Sequence, residues 1–404
     1  MEATDVRSGP KLGLLWQVLI AIIAGIALGF VFPDWLTRVF VTINMLFSQF
    51  LGFFIPLIIL GLITPAIADL GRGAGKWLAV TAAIAYGSTI VAGFLGWGAS
   101  TLVLPRVLPD SGVKELTNPD KALLEPYFQL QIPPVLGVMS ALVLAFILGV
   151  AITMIKGDLT IRGMHEFREI VNIVISNIIV PFLPVYIFGI FLNMTQGGQV
   201  ASVIATFLGV VVFVFVLTWL MLLMQYGIAG AVTGKNPFRM LGTMLPAYVT
   251  ALGTASSAAT IPVTLRQAIA MGVRKEVASF TVPLCATIHL AGSMIKITSF
   301  SLAVMMIYDM EIGVGLIAGF IFLLGVMMIA APGVPGGAIV TATALLSSML
   351  GFTEAQVGLM IATYIAIDSF GTATNVTGDG AISAIIDKLS RGEHNLPTED
   401  NTTA

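Results

Sequence analysis

One cysteine in 404 residues, Cys285, excludes an intrachain disulfide and any cysteine-based metal cluster. Charge is also scarce. Asp, Glu, Lys and Arg make up 10% of the chain, against about 25% in a soluble domain. No basic tract or aromatic-basic interleaving is present of the kind that nucleic-acid binders need. The net charge of −2 points to no partner. What fills the chain instead is apolar: 57% hydrophobic residues and a mean hydropathy of +0.99. These values place it among polytopic helical membrane proteins, whose solvent is the lipid bilayer. Forty-two glycines and nineteen prolines are many for simple spans and point to broken helices and hairpin tips.

Apolar runs predict spans near 14–32, 41–69, 77–104, 134–155, 168–194 and 201–230. No small-residue cleavage site closes the first run, so it reads as a retained span rather than a removable signal peptide. One long polar excursion runs from about Leu104 to Pro134. Basic residues at Arg7, Lys11, Arg72, Lys76, Lys156, Arg162, Arg168, Lys235, Arg239, Lys388 and Arg391 fall on one side if spans alternate. The positive-inside rule then puts both termini in the cytoplasm of a cell-membrane protein.

The second half departs from plain spans. Pro237–Arg266 is interrupted by GTASSAATIP, and Gly313–Leu350 by AAPGVPGGA. Each reads as two half-helices meeting at a small-residue tip, and each is followed by a span with unusual polar groups. Prolines remove donors and cannot continue a helix, so the exposed backbone must meet protein, water, solute or ions. The last span, Ile361–Lys388, carries Asp368, Thr372, Asn375 and Asp379 at spacings of 4, 3 and 4, one stripe of a helix. A carboxylate at the bilayer centre costs at least ~2.5 kcal/mol, so this stripe predicts a binding site.

With the paired hairpins, the SSAATIP and APGVPGGA tips and the terminal NVTGD, the chain resembles the glutamate/aspartate transporter family, the dicarboxylate/amino acid:cation symporters. The resemblance covers nearly the whole chain and is sharpest from Thr254 to Lys388. It implies an all-α membrane protein of eight transmembrane helices and two re-entrant hairpins, working as a homotrimeric elevator. Residues 1–235 would be mainly scaffold, with spans 3 and 6 moving; 236–392 would form the transport core, and 393–404 a cytoplasmic tail. It implies a symporter and not an enzyme, with no cofactor beyond transported Na+ and/or H+. By the resemblance, Asp368 would hold the substrate's amino group, and Thr372, Asn375, Ser256, Ser257 and Ser293 would receive its other polar groups. Gly333, Val334 and Gly336 would close over the substrate. Asp379 and Asn375 would ligate Na+, with Thr89 and His289 as further coupling residues.

Two departures shape the expected substrate. Acidic-substrate members carry an arginine three residues beyond the amino-group aspartate, where this chain has Gly371; another sometimes stands at the first tip, here Ala255. Without a guanidinium to bind a carboxylate bidentately, a neutral or small polar amino acid is expected. The alternative is an acidic amino acid or dicarboxylate with Lys296 as counter-charge, although Lys296 could instead neutralise Asp368. The family's Asn-Met-Asp-Gly-Thr is here His289-Leu290-Ala291-Gly292-Ser293, which removes sodium ligands and admits a titratable imidazole. An intramembrane aspartyl protease is the remote alternative; Asp368 and Asp379 would lie about 16 Å apart along one helix, too far to share a proton.

Overall fold

The computed structural model describes residues 13–72, 76–108, 124–198, 200–329, 331 and 335–391. Among these every regular element is helical. The first set comprises α1 (Leu14–Gly29), α2 (Asp34–Arg72), α4 (Val138–Met154), α5 (Leu159–Val174) and α6 (Val180–Gln196). Here α1 packs on α6, and α2 on α4, α5 and α6. Glycines set the closest approaches: Gly25 and Gly29 lie against the α6 backbone, and Gly149 of α4 against Thr64 and Ile67 of α2. Between α5 and α6 the ladder slips into a π turn, Ile175–Ile179. Pro181 and Pro184 follow at once, and their missing N–H groups account for the slip.

The second set comprises α3 (Lys76–Val107), α7 (Val200–Thr233), α8 (Pro237–Thr254), α9 (Ser257–Ala270), α10 (Lys275–Ile288), α11 (Ala291–Ile307), α12 (Val314–Ile329), α13 (Gly337–Ser348), α14 (Glu354–Ala366) and α15 (Asp368–Leu389). At its centre α15 touches α7, α8, α9, α10 and α11, while α11 lies along α3.

Five helical stretches are long and apolar enough to cross a membrane by length and composition: Asp34–Asp69, Lys76–Val107, Leu159–Gln196, Leu208–Thr233 and Lys275–Ile307. The pair α14–α15 makes a sixth if taken as one span. At 39 residues α2 is about 58 Å long, well beyond the ~30 Å of hydrocarbon it has to cross. Both predicted hairpins contain helix breaks. At the first, Ala255 takes a left-handed φ of 48° and Ser256 caps α9, its side chain accepting from Ala259 N–H. At the second, Gly336 takes φ 76° before α13 begins. Gly333 and Val334, expected at this tip, fall outside the described residues, as do both termini.

One expectation is corrected. Ile361–Lys388 is not a single helix. It bends by 62° at Ile367, so Asp368 opens the first turn of α15 rather than lying inside a continuous helix. A carboxylate there is favoured by the helix dipole. The segment expected as span 7 is likewise interrupted, at His289 and Leu290, between α10 and α11.

Candidate functional site

The two interruptions meet. Gly292, at the start of α11, lies against the backbone of Gly371 on α15; a Cβ at Gly292 would stand 2.5 Å from the Gly371 carbonyl oxygen. The absence of side chains lets the two broken segments touch, and each then serves the other's polar groups. Gly292 N–H donates to Asn375 Oδ1 (2.8 Å), and Asn375 Nδ2 donates to Ser293 Oγ (3.3 Å). Ser293 Oγ also accepts from the Tyr364 hydroxyl (2.8 Å).

Beside this junction stands a buried ion pair. Lys296 Nζ lies 3.0 Å from Asp368 Oδ1 and 3.4 Å from the Asp368 main-chain oxygen, with the Tyr364 ring centroid 3.6 Å away. Gly336 N–H, from the second hairpin, donates to Asp368 Oδ2 (2.9 Å). Both carboxylate oxygens therefore have partners. The lysine stem runs through the space that a side chain at position 371 would occupy: a Cβ on Gly371 would stand 2.5 Å from Nζ. Lys296 thus needs a glycine at the position where acidic-substrate relatives were expected to carry arginine.

A small cavity of about 30 Å3 opens at this point. Its lining includes Ser257, Ser293, Tyr364, Asp368, Thr372 and Asn375. That volume holds a water or two, which need ~10–15 Å3 each.

One helical turn deeper, His289 and Asp379 are buried together, Nδ1 donating to Asp379 Oδ1 (2.8 Å). On its other nitrogen, His289 Nε2 meets Ser88 Oγ at 3.1 Å and Gln225 Nε2 at 3.2 Å, and Gln225 Nε2 donates to Ser88 Oγ (2.9 Å). Asp379 Oδ2, Gln225 Oε1 and Thr377 Oγ1 remain buried without a hydrogen-bond partner. Rotating the Gln225 amide would present its oxygen in place of its nitrogen, so the cluster can meet either form of the imidazole. Gly378 makes room for it, lying against Gln225 and His289.

Among the residues singled out from sequence, Lys296, Asp368 and Gly336 form one hydrogen-bonded group and Asn375 and Ser293 another. Tyr364 joins them, its ring against Lys296 Nζ and its hydroxyl on Ser293. Thr372 and Ser257 line the cavity. The Ser256 side chain caps α9. Thr89 is buried and bonds its own helix, donating to Ala85 O (3.0 Å), and it is the neighbouring Ser88 that reaches His289. Four residues of this centre were missed from sequence: Ser88, Gln225, Tyr364 and Tyr226, whose hydroxyl donates to Thr377 O (2.7 Å). Gln225 carried a usable signal, being an amide within a long apolar run.

Helices broken where they meet, around polar groups buried in an apolar bundle, define an all-helical membrane-protein architecture with a polar centre. The chain belongs to the sodium:dicarboxylate symporter family, whose model matches residues 14–389. It is similar to excitatory amino acid transporter 1 of Homo sapiens, 33% identical over 205 residues, covering 50% of this chain and 36% of that protein. It is also similar to excitatory amino acid transporter 4 of Mus musculus, 32% identical over 172 residues (42% and 30%). For excitatory amino acid transporter 3 of Oryctolagus cuniculus the identity is 36% over 163 residues (40% and 31%). These matches span about a third of the length of the curated relatives.

Proposed function

We propose that the protein is a secondary active symporter of the cell membrane, coupling inward movement of Na+ and/or H+ to uptake of a small amino acid or related carboxylate. The observation that carries this reading is the meeting of the two helix interruptions at Gly292 and Gly371, with Asp368, Asn375 and Ser293 gathered between two hairpins. Half-helix ends offer unsatisfied N–H groups to a carboxylate and carbonyls to a cation. Set against a protease, Asp368 and Asp379 have separate partners and share no proton.

The finer reading follows the family. Eight spans and two hairpins would divide into a scaffold within 1–235, less spans 3 and 6, and a mobile core at 236–392 that moves as an elevator in a homotrimer, with both termini cytoplasmic. The helices α1, α2 and α4–α6 pack mainly on one another and α15 packs on α7–α11, with the two groups meeting chiefly along α12–α14, which supports the division. For the coupling ion, Asn375 Oδ1 and Asp379 Oδ1 accept internal donors, whereas Asp379 Oδ2 and Gln225 Oε1 have none and supply hard oxygen ligands for Na+. His289 offers a proton-accepting alternative at the same place.

Uptake of labelled amino acids and carboxylates into proteoliposomes, with sodium and proton gradients imposed separately, tests the proposal. Gradient-driven accumulation of at least one solute is expected. Equilibration without accumulation, whichever gradient is applied, would overturn it.

A further inference from the structure

Resting on the symporter reading above, we infer that this site recognises a short carboxylate without using an α-ammonium group, because Lys296 already supplies the ammonium from within the protein. Asp368 is the residue that would receive an amino group, and both its oxygens are engaged, Oδ1 by Lys296 Nζ (3.0 Å) and Oδ2 by Gly336 N–H (2.9 Å). Lys296 is fully buried. On its far side is an apolar cavity of about 270 Å3 formed by Val211, Val214, Phe215, Ile367 and Phe370. The hydroxyl lining that cavity, Thr218, donates to the Phe215 carbonyl (2.7 Å). Moving an ammonium there would forfeit the carboxylate and the Tyr364 ring for hydrocarbon. Gly371 reinforces the assignment, since any side chain there would collide with the lysine.

What the small cavity offers a solute is hydroxyl and amide chemistry from Ser257, Ser293, Thr372, Tyr364 and Asn375. Such groups match a hydroxyl on the α-carbon as well as they match an amine. Among the described residues no lysine or arginine lines this cavity, and Lys296 behind Asp368 is balanced by that carboxylate, so a second carboxylate has no partner. Short 2-hydroxy monocarboxylates are the class whose polar groups this lining matches, and the cavity has to widen to admit one.

The test uses the full chain in proteoliposomes with matched pairs, lactate against alanine and glycerate against serine, each competing for uptake of the best labelled solute. Each hydroxy acid is expected to compete within about threefold of its amino partner or better. A site built around a free aspartate would discriminate by about a hundredfold or more, and that result for the amino acid would overturn the inference while leaving the symporter intact. Lys296→Met should free Asp368 and shift the pair ratio at least about tenfold toward the amino acid; an unchanged ratio in folded protein would also overturn it. Should that variant fail to fold, the wild-type pairs decide alone. Accumulation of no solute at all would remove the symporter reading itself, a separate outcome.

Discussion

Gly371 and Lys296 occupy one space, and the consequence can be measured at single residues. Adding a methyl at Gly371 drives it into the lysine stem, so Gly371→Ala should destabilise the protein by about 1–3 kcal/mol through overpacking. Lys296→Ala alone should cost more, about 3–5 kcal/mol, because it strands a buried Asp368. Combined, the two should cost less than their sum by about 0.5–3 kcal/mol, since the alanine at 371 then has room. Thermal unfolding of the four proteins in detergent completes the cycle, and strict additivity would show that the two side chains do not share that space. Asp379→Asn tests the deeper cluster. The amide keeps an oxygen for the His289 N–H but loses the charge. Ion-driven uptake should fall by at least about tenfold while the melting temperature stays within a few degrees, and unaffected uptake would remove Asp379 from coupling.

At the scale of elements, the interruptions determine what the sequence could and could not disclose. The hairpin tips were legible because Pro and Gly remove donors or permit left-handed backbone, and those are local effects. Ala255, at φ 48°, and Gly336, at φ 76°, sit where the small-residue tips were expected. The bend at Ile367 was not legible. Nothing in YIAIDSF breaks a helix by propensity, and the break is held by partners distant in sequence: Lys296 and Gly336 on Asp368, and Ser293 on Tyr364. Asp368, Thr372, Asn375 and Asp379 do share one helix, as their spacing indicated. They nevertheless meet different partners, Asp368 with Lys296, Asn375 with Gly292 and Asp379 with His289. Ser88 and Gln225 were hidden for a related reason, because they gain meaning only when α3 and α7 bring them to the imidazole. The start of α14 offers a test at this scale. Thr353 and Gln356 form a reciprocal cap there, with Thr353 N–H donating to Gln356 Oε1 (2.9 Å) and Thr353 Oγ1 accepting from Gln356 N–H (3.4 Å). Thr353→Ala should lower stability by about 1 kcal/mol. Hydrogen exchange should rise in the first turn of α14 and stay unchanged at α15; uniform acceleration across both helices would mean that they unfold as one unit despite the bend.

For the whole molecule the question is whether the bundle around α15 slides past the α1–α2–α4–α6 assembly. Their contact is close at Gly358 of α14, which lies against Ile190 and Tyr186 of α6. Absence of a side chain at Gly358 accommodates the isoleucine in this arrangement, and an elevator stroke would carry the pair apart. The lone Cys285 is buried, so Cys285→Ala gives a background free of competing thiols. On that background Ile190→Cys with Gly358→Cys places one thiol on each side of the interface. Mercury or a short bifunctional thiol reagent should join them and reduce uptake to about a tenth or less, because a cross-link forbids the open partner of a two-state motion. Excess dithiol should strip the mercury bridge and restore uptake, and each single-cysteine protein should be insensitive to the reagent. Substrate present during treatment should change the cross-linking rate, since a ligand that binds one position better shifts the population toward it. Full uptake by the cross-linked protein would mean that α14 and α6 move together, and solute would then have to cross by gating at the hairpin tips without a sliding core.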